Sequence, residues 1–284
     1  MTRTVLSARD LHVTFPALQG RGVVRAVDGV SLDLTEGEIL ALVGASGSGK
    51  TTLSRTLLGL EAPTSGTVTA LGEALPTGGR ALRAARQRMQ LVMQDPSGAL
   101  NPKHSVYESV AEGIRLHRLV ERAAAQDPAP SEVDLVTRAL EHAGLRPAAD
   151  FFLAYPHQLS GGQRQRVLIA GSLAVDPSVI IADEPVASLD ASIRGEILDL
   201  FLTLRDRLGL TFMIVTHDLG LAWNIADRVA VMQAGTLVEI GSTEDVLLRP
   251  QHPYTRELLA ALPGGQHPDP AGSDHAPRAS TPTP

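Results

Sequence analysis

Gly44-Ala45-Ser46-Gly47-Ser48-Gly49-Lys50-Thr51 fits G-x-x-x-x-G-K-[ST], a spacing suited to cradling the phosphates of a nucleotide. That chemistry needs backbone N–H groups turned inward at a helix start, where the macrodipole supplies roughly half a positive charge. Glycines at 44, 47 and 49 let the backbone come close without a side-chain clash. Lys50 then reaches the β- and γ-phosphates, the Thr51 hydroxyl can ligate Mg²⁺, and Thr52 extends the binding set. The chain has only two lysines, Lys50 and Lys103, so a compact ammonium is kept here in a sequence that otherwise uses arginine. A second set of groups follows the apolar run Val179-Ile180-Ile181-Ala182. Asp183 can share Mg²⁺ with Thr51, and Glu184 can polarise a water for in-line attack on the γ-phosphate. Two adjacent acids also suit a solvated turn, and the phosphate loop upstream is what favours the site. Gln94 and His217 each close an apolar strand, and spacing alone leaves both open between a structural role and a bond to the nucleotide or its metal.

Leu159-Ser160-Gly161-Gly162-Gln163 offers another anion site, a hydroxyl and backbone N–H groups at a helix start. By itself it reads equally well as an N-cap. One nucleotide does not need two such helix starts from one chain. A head-to-tail dimer does, with each nucleotide held between the loop of one copy and the Ser-Gly-Gly of the other.

The elements that must position these groups alternate between strand and helix. Glu38 to Val43 reads as a buried strand feeding the loop, and Thr52 to Leu60 as the helix leaving it. Before them, residues 4–15 suggest an edge strand, Gly20-Arg21-Gly22 a turn, and Val27 to Leu34 a further strand. These early strands, with Thr67 to Ala70, are expected to form an antiparallel sheet beside the nucleotide site. Arg80 to Arg88 reads as a helix with a solvated basic face, and Met89 to Gln94 as a buried strand. From Asp95 to about Leu159 the signal is helical, which makes an inserted subdomain, with a surface connection at Ala123 to Pro130. Then come a helix from Val167 to Ala174, the strand ending at Asp183, a helix over Ser192 to Leu208 and a strand over Phe212 to Thr216. A helix near Leu219 to Ala226 and a strand over Arg228 to Met232 complete a parallel α/β core. The stretch from Pro263 is rich in Pro, Gly, Asp, His and Ser and reads as a disordered tail.

Composition narrows the function. A formal charge of −6 argues against nucleic-acid binding through phosphate neutralisation. No apolar run approaches the roughly 18 residues that span a bilayer, and the first residues lack the apolar core of a signal peptide. With no cysteine, disulfides and thiolate metal sites are excluded. The expectation is a cytosolic protein that serves a membrane, if it does, through a partner.

Across residues 4–262 the chain resembles the ATPase subunit of an ABC transporter. The motifs, in family order, are Walker A (Gly44 to Thr51), the Q-loop glutamine Gln94 and the signature Leu159 to Gln163. Walker B with its glutamate (Val179 to Glu184), the D-loop Ala187-Ser188-Leu189-Asp190 and the switch histidine His217 follow. The resemblance implies a P-loop NTPase (RecA-like) core with a parallel sheet, an antiparallel β subdomain and an inserted helical subdomain at about 95–160. It implies that Lys50 and the loop amides hold the phosphates of ATP while Thr51, Gln94 and Asp183 serve Mg²⁺. Glu184 would be the general base and His217 the γ-phosphate sensor. Ser160, Gly161, Gly162 and Gln163 would close on the nucleotide of the opposite subunit, and Asp190 would link the two sites.

Gln94 to Pro102, Glu184 to Asp190 and Gln251-His252-Pro253-Tyr254-Thr255-Arg256-Glu257-Leu258-Leu259 resemble the dipeptide, oligopeptide and nickel uptake group. That likeness implies a C-terminal element at about 250–262, integral membrane permease subunits as partners, and a second ATPase subunit, the same or related. An extracytoplasmic solute-binding protein would act indirectly, and the chain would lie peripherally on the cytoplasmic face of the membrane. Two features depart from the pattern. Gly20 to Ala26 offers no aromatic to stack on adenine, which leaves Phe15 as the nearest, and there is no cysteine cluster after the His-Pro-Tyr-Thr run. Rival readings are an ABC ATPase working on DNA or ribosomes, which fits an acidic single cassette poorly, and a kinase, which leaves Leu159 to Gln163 unexplained.

Overall fold

The computed structural model describes residues 3–17, 22–125 and 128–261. Gly20 and Arg21 of the expected turn, part of the Ala123–Pro130 connection, and the expected tail from Pro263 lie outside the described residues. In chain order come β1 (Thr4–Pro16), β2 (Val23–Thr35), β3 (Ile39–Val43), α1 (Lys50–Leu57), β4 (Ser65–Ala70) and β5 (Glu73–Ala74). Next are α2 (Gly79–Arg88), β6 (Met89–Val92), α3 (Pro96–Ala99), α4 (Val106–Leu116), α5 (Leu119–Arg122) and α6 (Glu132–His142). The chain continues with α7 (Gly161–Leu173), β7 (Val179–Asp183), α8 (Ala191–Leu208), β8 (Thr211–Thr216) and α9 (Leu219–Ile225). It ends with β9 (Arg228–Gln233), β10 (Thr236–Ser242), α10 (Thr243–Leu248) and α11 (Pro253–Ala260).

Every side chain of β3 is buried, because both faces of the six-stranded sheet are covered. Its strand order is β10-β9-β3-β8-β7-β6, parallel throughout except for β10. Along β3 the side chains alternate between layers. Leu40 and Leu42 join α1 and the antiparallel sheet, while Ala41 and Val43 join α9, α10 and α11. Burying each such Leu or Val is worth roughly 1.5–3 kcal/mol. Ile39 belongs to a third cluster that runs from β7 and β8 through α7 and α8 into α4 and α6, so one core seats the helical stretch on the sheet. The cluster under α9 to α11 has Trp223, Tyr254 and Leu258 at its margin.

The antiparallel sheet has the order β2-β1-β4-β5. Here the sequence expectation of an edge strand is corrected: β1 bonds β2 along one side and β4 along the other. Its run Val5-Leu6-Ser7-Ala8 is buried on both faces, which suits an interior strand. The helices of the stretch between β6 and β7 start on their own side chains. Ser105 with Glu108, Ser131 with Asp134 and Ser160 with Gln163 form reciprocal capping boxes at α4, α6 and α7. For that reason α7 begins at Gly161, six residues earlier than apolar periodicity indicates. Arg115 grips Glu132 at 2.8 and 2.6 Å, and Tyr107 donates to the same carboxylate at 2.9 Å, tying α4 to α6.

Three further differences have local causes. The strand expected to reach Gln94 stops at Val92, because β6 is the sheet edge and Met93 and Gln94 turn out to solvent. The basic face of α2 is only partly solvated: Arg86 donates to the carbonyls of Leu58 and Gly59, which satisfies the C-terminal end of α1. β10 was not read from the sequence. It follows β9 through Ala234 and Gly235, both at positive φ (46° and 87°), a two-residue hairpin turn whose first position carries alanine instead of the usual Asn or Gly.

Candidate active site

The register of the parallel strands decides which side chains meet. Val43 lies beside Thr216, and Asp183 beside Val215, so β3, β7 and β8 end at one level. The residues that leave them (Gly44, Glu184 and His217) therefore emerge together at the carboxyl edge, where open α/β sheets bind ligands.

Two loop glycines are irreplaceable on geometry. A Cβ on Gly44 would lie 2.2 Å from the Met232 carbonyl oxygen, and one on Gly49 would lie 2.1 Å from that of Ala26, with φ at 156° and 106°. Gly49 is the N-cap of α1 and gives it no side-chain cap, so the first amides of that helix are not consumed by a neighbouring side chain. The Ser48 hydroxyl is buried and without a hydrogen-bond partner among the described residues. The hairpin turn supports the loop from below, Gly235 N–H donating to the Ser48 carbonyl at 2.9 Å.

Lys50 is buried, and its Nζ donates to the carbonyls of Gly44 at 2.7 Å and Ala45 at 2.9 Å. Burial pulls its pKa below the ordinary value, against the opposing pull of Glu184 and Asp183. Asp183 moves the other way: burial raises it and Glu184 adds to the rise, while the Thr51 hydroxyl bonded to it and the nearby Lys50 oppose. Glu184 adopts φ +49°, a left-handed conformation costing a non-glycine residue about 1 kcal/mol or more, held by its N–H to the Val215 carbonyl at 2.9 Å. Its carboxylate meets His217 Nδ1 at 2.8 Å, and since a carboxylate only accepts, Nδ1 carries the hydrogen.

Around these groups opens a cleft of about 750 Å³ lined by Ser46, Gly47, Gly49, Lys50, Thr51, Thr52, Gln94, Asp183, Glu184 and His217. The amides at the start of α1 and a lysine fit a polyphosphate. Thr51, Asp183 and Gln94 are hard oxygen donors of the kind Mg²⁺ takes together with phosphate oxygens. Among the described residues there is no group of three or more His, Cys, Asp and Glu that could hold a metal ion.

Other sequence candidates stand apart. Ser160, Gly161, Gly162 and Gln163 do not line this cleft, and neither does Asp190. Ser160 is exposed and accepts from Gln163 N–H at 3.2 Å, while its own N–H donates to Gln163 Oε1 at 2.9 Å. Gly162 is buried against Ile193 of α8. Asp190 is the exposed N-cap of α8 and makes no capping bond. Phe15, the nearest aromatic by sequence, is partly buried against the core cluster of the antiparallel sheet and is absent from the cleft wall. Val24, Arg25 and Ala26 line it instead, at the start of β2, a placement that only the β1–β2 register reveals. Sequence reasoning also missed Tyr254, whose hydroxyl accepts from Ala45 N–H at 3.1 Å. The His-Pro-Tyr-Thr run was the available signal, but nothing in it says where the ring points.

Residues 27–187 match the model of the ABC transporter family. Over 272 residues the chain is 41% identical to a protein of Brucella ovis named a peptide import ATP-binding protein, covering 95% of this chain and 81% of that one. It is also 43% identical over 265 residues to the glutathione import ATP-binding protein GsiA of Escherichia coli O157:H7, covering 91% of this chain but 41% of GsiA. Among solved structures, cbiO1 of Clostridium perfringens, part of the ABC transporter complex cbiONQ, superposes with a TM-score of 0.74. It is 29% identical, over 92% of this chain and 96% of cbiO1. The ATP-binding cassette MJ0796, in a dimeric post-hydrolysis state bound to ADP and Pi, gives 0.71 at 27% identity, over 84% of this chain and 98% of that one. The fold that carries this cleft is thus shared with a cassette bound to ADP and Pi, and the chain belongs to the ABC transporter family as an ATP-hydrolysing subunit.

Proposed function

We propose that this subunit powers an importer for peptides or similar small solutes, ATP closing a head-to-tail dimer and hydrolysis reopening it. One observation carries the reading. The cleft gathers Lys50, Thr51, Gln94, Asp183, Glu184 and His217 but leaves out Ser160 and the start of α7. A half-site of this composition is completed by the signature segment of a second subunit, a copy of this chain or a relative. Peptides as solute follow from the names of the relatives, and the three sequence segments resembling the peptide uptake group agree.

In the closed dimer the loop amides and Lys50 hold the β- and γ-phosphates, and the Ser160 hydroxyl of the partner approaches from the other side. Glu184 Oε takes a proton from the attacking water as its oxygen bonds Pγ and the bond to the ADP oxygen breaks. His217, bonded to Glu184 through Nδ1, orients that carboxylate, and its other nitrogen would serve the γ-phosphate. Thr51, Asp183 and Gln94 would hold Mg²⁺, which would supply positive charge to neutralise the phosphates. Val24 and Arg25 line the cleft where no aromatic ring does, and the Arg25 guanidinium, bonded at its edge to Asp28 at 3.3 Å, would have its planar face left for adenine. The helical stretch of residues 95–160 carries the closing motion to the permeases, and the chain is peripheral to the membrane. Among the described residues no helix is long and apolar enough to cross one. The solute would be chosen by the permeases and an external binding protein.

The test is Glu184→Gln, expected to bind ATP, to hydrolyse it at least about a hundredfold more slowly and to accumulate as a dimer. Near-normal turnover removes Glu184 from the reaction. Pull-down of the same variant with ATP from detergent-solubilised host membranes is expected to bring integral membrane subunits, and recovery of ribosomes or DNA instead overturns the importer reading.

A further inference from the structure

Gln251-His252-Pro253-Tyr254-Thr255 takes no part in the reaction above, yet its polar groups are almost all spent. Glu239 of β10 accepts from Gln251 N–H at 2.7 Å, from His252 N–H at 3.1 Å and from the Thr255 hydroxyl. His252 Nδ1 caps α11 by accepting from Tyr254 N–H at 3.2 Å, and Pro253 takes the first helical position, where no N–H is needed. Thr255 is fully buried, and Leu258 and Leu259 press α11 onto the cluster beneath β3 and β9. This much anchoring fixes the direction of one side chain, Tyr254, whose hydroxyl receives the Ala45 N–H across 209 positions of sequence.

The bond falls on a part of the phosphate loop that is otherwise held by Lys50. Two of the three ammonium hydrogens of Lys50 go to the Gly44 and Ala45 carbonyls. Each donor it transfers to a phosphate loosens its grip on that dipeptide. Tyr254 grips the same dipeptide through an N–H, from outside, and nothing in its bond depends on nucleotide. It also removes the Ala45 N–H from the set available to phosphate, so that the anion nest begins at Ser46.

We infer that Tyr254 is a positioning residue for ATP: docked by Glu239, the C-terminal element holds the first turn of the phosphate loop in its binding shape while Lys50 turns to the phosphates. The inference rests on phosphate binding at this loop, which Lys50→Ala tests separately.

Tyr254→Phe keeps the ring and loses only the acceptor. The expected result is a rise in Kd and KM for ATP of about three- to tenfold, the range of one lost hydrogen bond, with kcat at saturating ATP within about twofold of normal. The Ala45 amide should also exchange its hydrogen faster, while the melting temperature stays close to that of the parent. Glu239→Gln, which frees the element without touching the tyrosine, should raise KM in the same direction. It serves in place of Tyr254→Phe if that protein does not fold. Unchanged KM in both variants overturns the inference, as does a KM rise matched by an equal fall in kcat and melting temperature, which marks a merely structural ring. If Lys50→Ala itself binds ATP normally, what fails is the assignment of ATP to the loop.

Discussion

Two helix starts in this molecule offer an anion site on sequence, one as a phosphate loop and the other in a segment that reads equally well as an N-cap, and they are built in opposite ways. α1 begins from a left-handed Gly49 with no side chain to cap it. α7 begins from Ser160 and Gln163, which satisfy each other. The first is an open set of amides that gains most from a ligand, and the second is stable unaided. Yet the second is not closed to a ligand. Ser160 accepts through a lone pair of its oxygen, and the hydroxyl hydrogen remains to be donated. On the proposed reading one start would bind by lacking a cap, the other while keeping one.

The contrast can be broken at its most rigid point. Gly49→Ala puts a Cβ against the Ala26 carbonyl at a φ few L-residues adopt, and should cost about 3 kcal/mol and abolish ATP binding. Thermal melting and nucleotide titration would read both, and retained ATP affinity would mean that the open start is not the phosphate site. A sharper comparison uses α7. Ser160→Ala loses the cap, about 1 kcal/mol, together with the donor. Ser160→Asp keeps the cap but has no hydrogen to give and brings a negative charge. In a Glu184→Gln background the aspartate should therefore melt like the parent and still fail to dimerise with ATP in light scattering, whereas normal dimers would show that capping is all Ser160 does. The smallest effect concerns Glu239, which docks the C-terminal element. Glu239 is raised by burial, but the Gln251, Thr255 and His252 bonds outweigh this, so its folded pKa lies below the ordinary 4.5. A depressed carboxylate contributes stability that is full above the unfolded value and is lost as pH falls through the folded one. The difference in melting temperature between parent and Glu239→Gln should be constant near neutrality, shrink as pH falls below the ordinary carboxylate value and vanish once the lower folded pKa is passed. A gap that persists in acid would show that the charge is not what docks the element.

Much of this was legible from residues alone where a local pattern had only one physical solution. The apolar runs ending at Val43, Asp183 and Thr216 had to be buried parallel strands, and once they were, Lys50, Glu184 and His217 had to share an edge. What stayed hidden depended on partners distant in sequence. β1 reads as an edge because nothing in its own residues announces β4. β10 was masked by an alanine in a hairpin turn where Asn or Gly would signal it. Phe15 was the natural choice for adenine until pairing put Val24 and Arg25 at the cleft. Tyr254 lay in a run already singled out, but its direction is set by Glu239, on another element.

Trp223 is the chain's single tryptophan, on α9, six residues beyond His217. It is half-buried at the margin of the cluster that also seats Tyr254. An indole emits at longer wavelength as water reaches it, so the protein carries its own optical gauge of this corner. Movement of the histidine segment when nucleotide binds, or release of α11, registers there in unlabelled protein, with no second indole to dilute the signal.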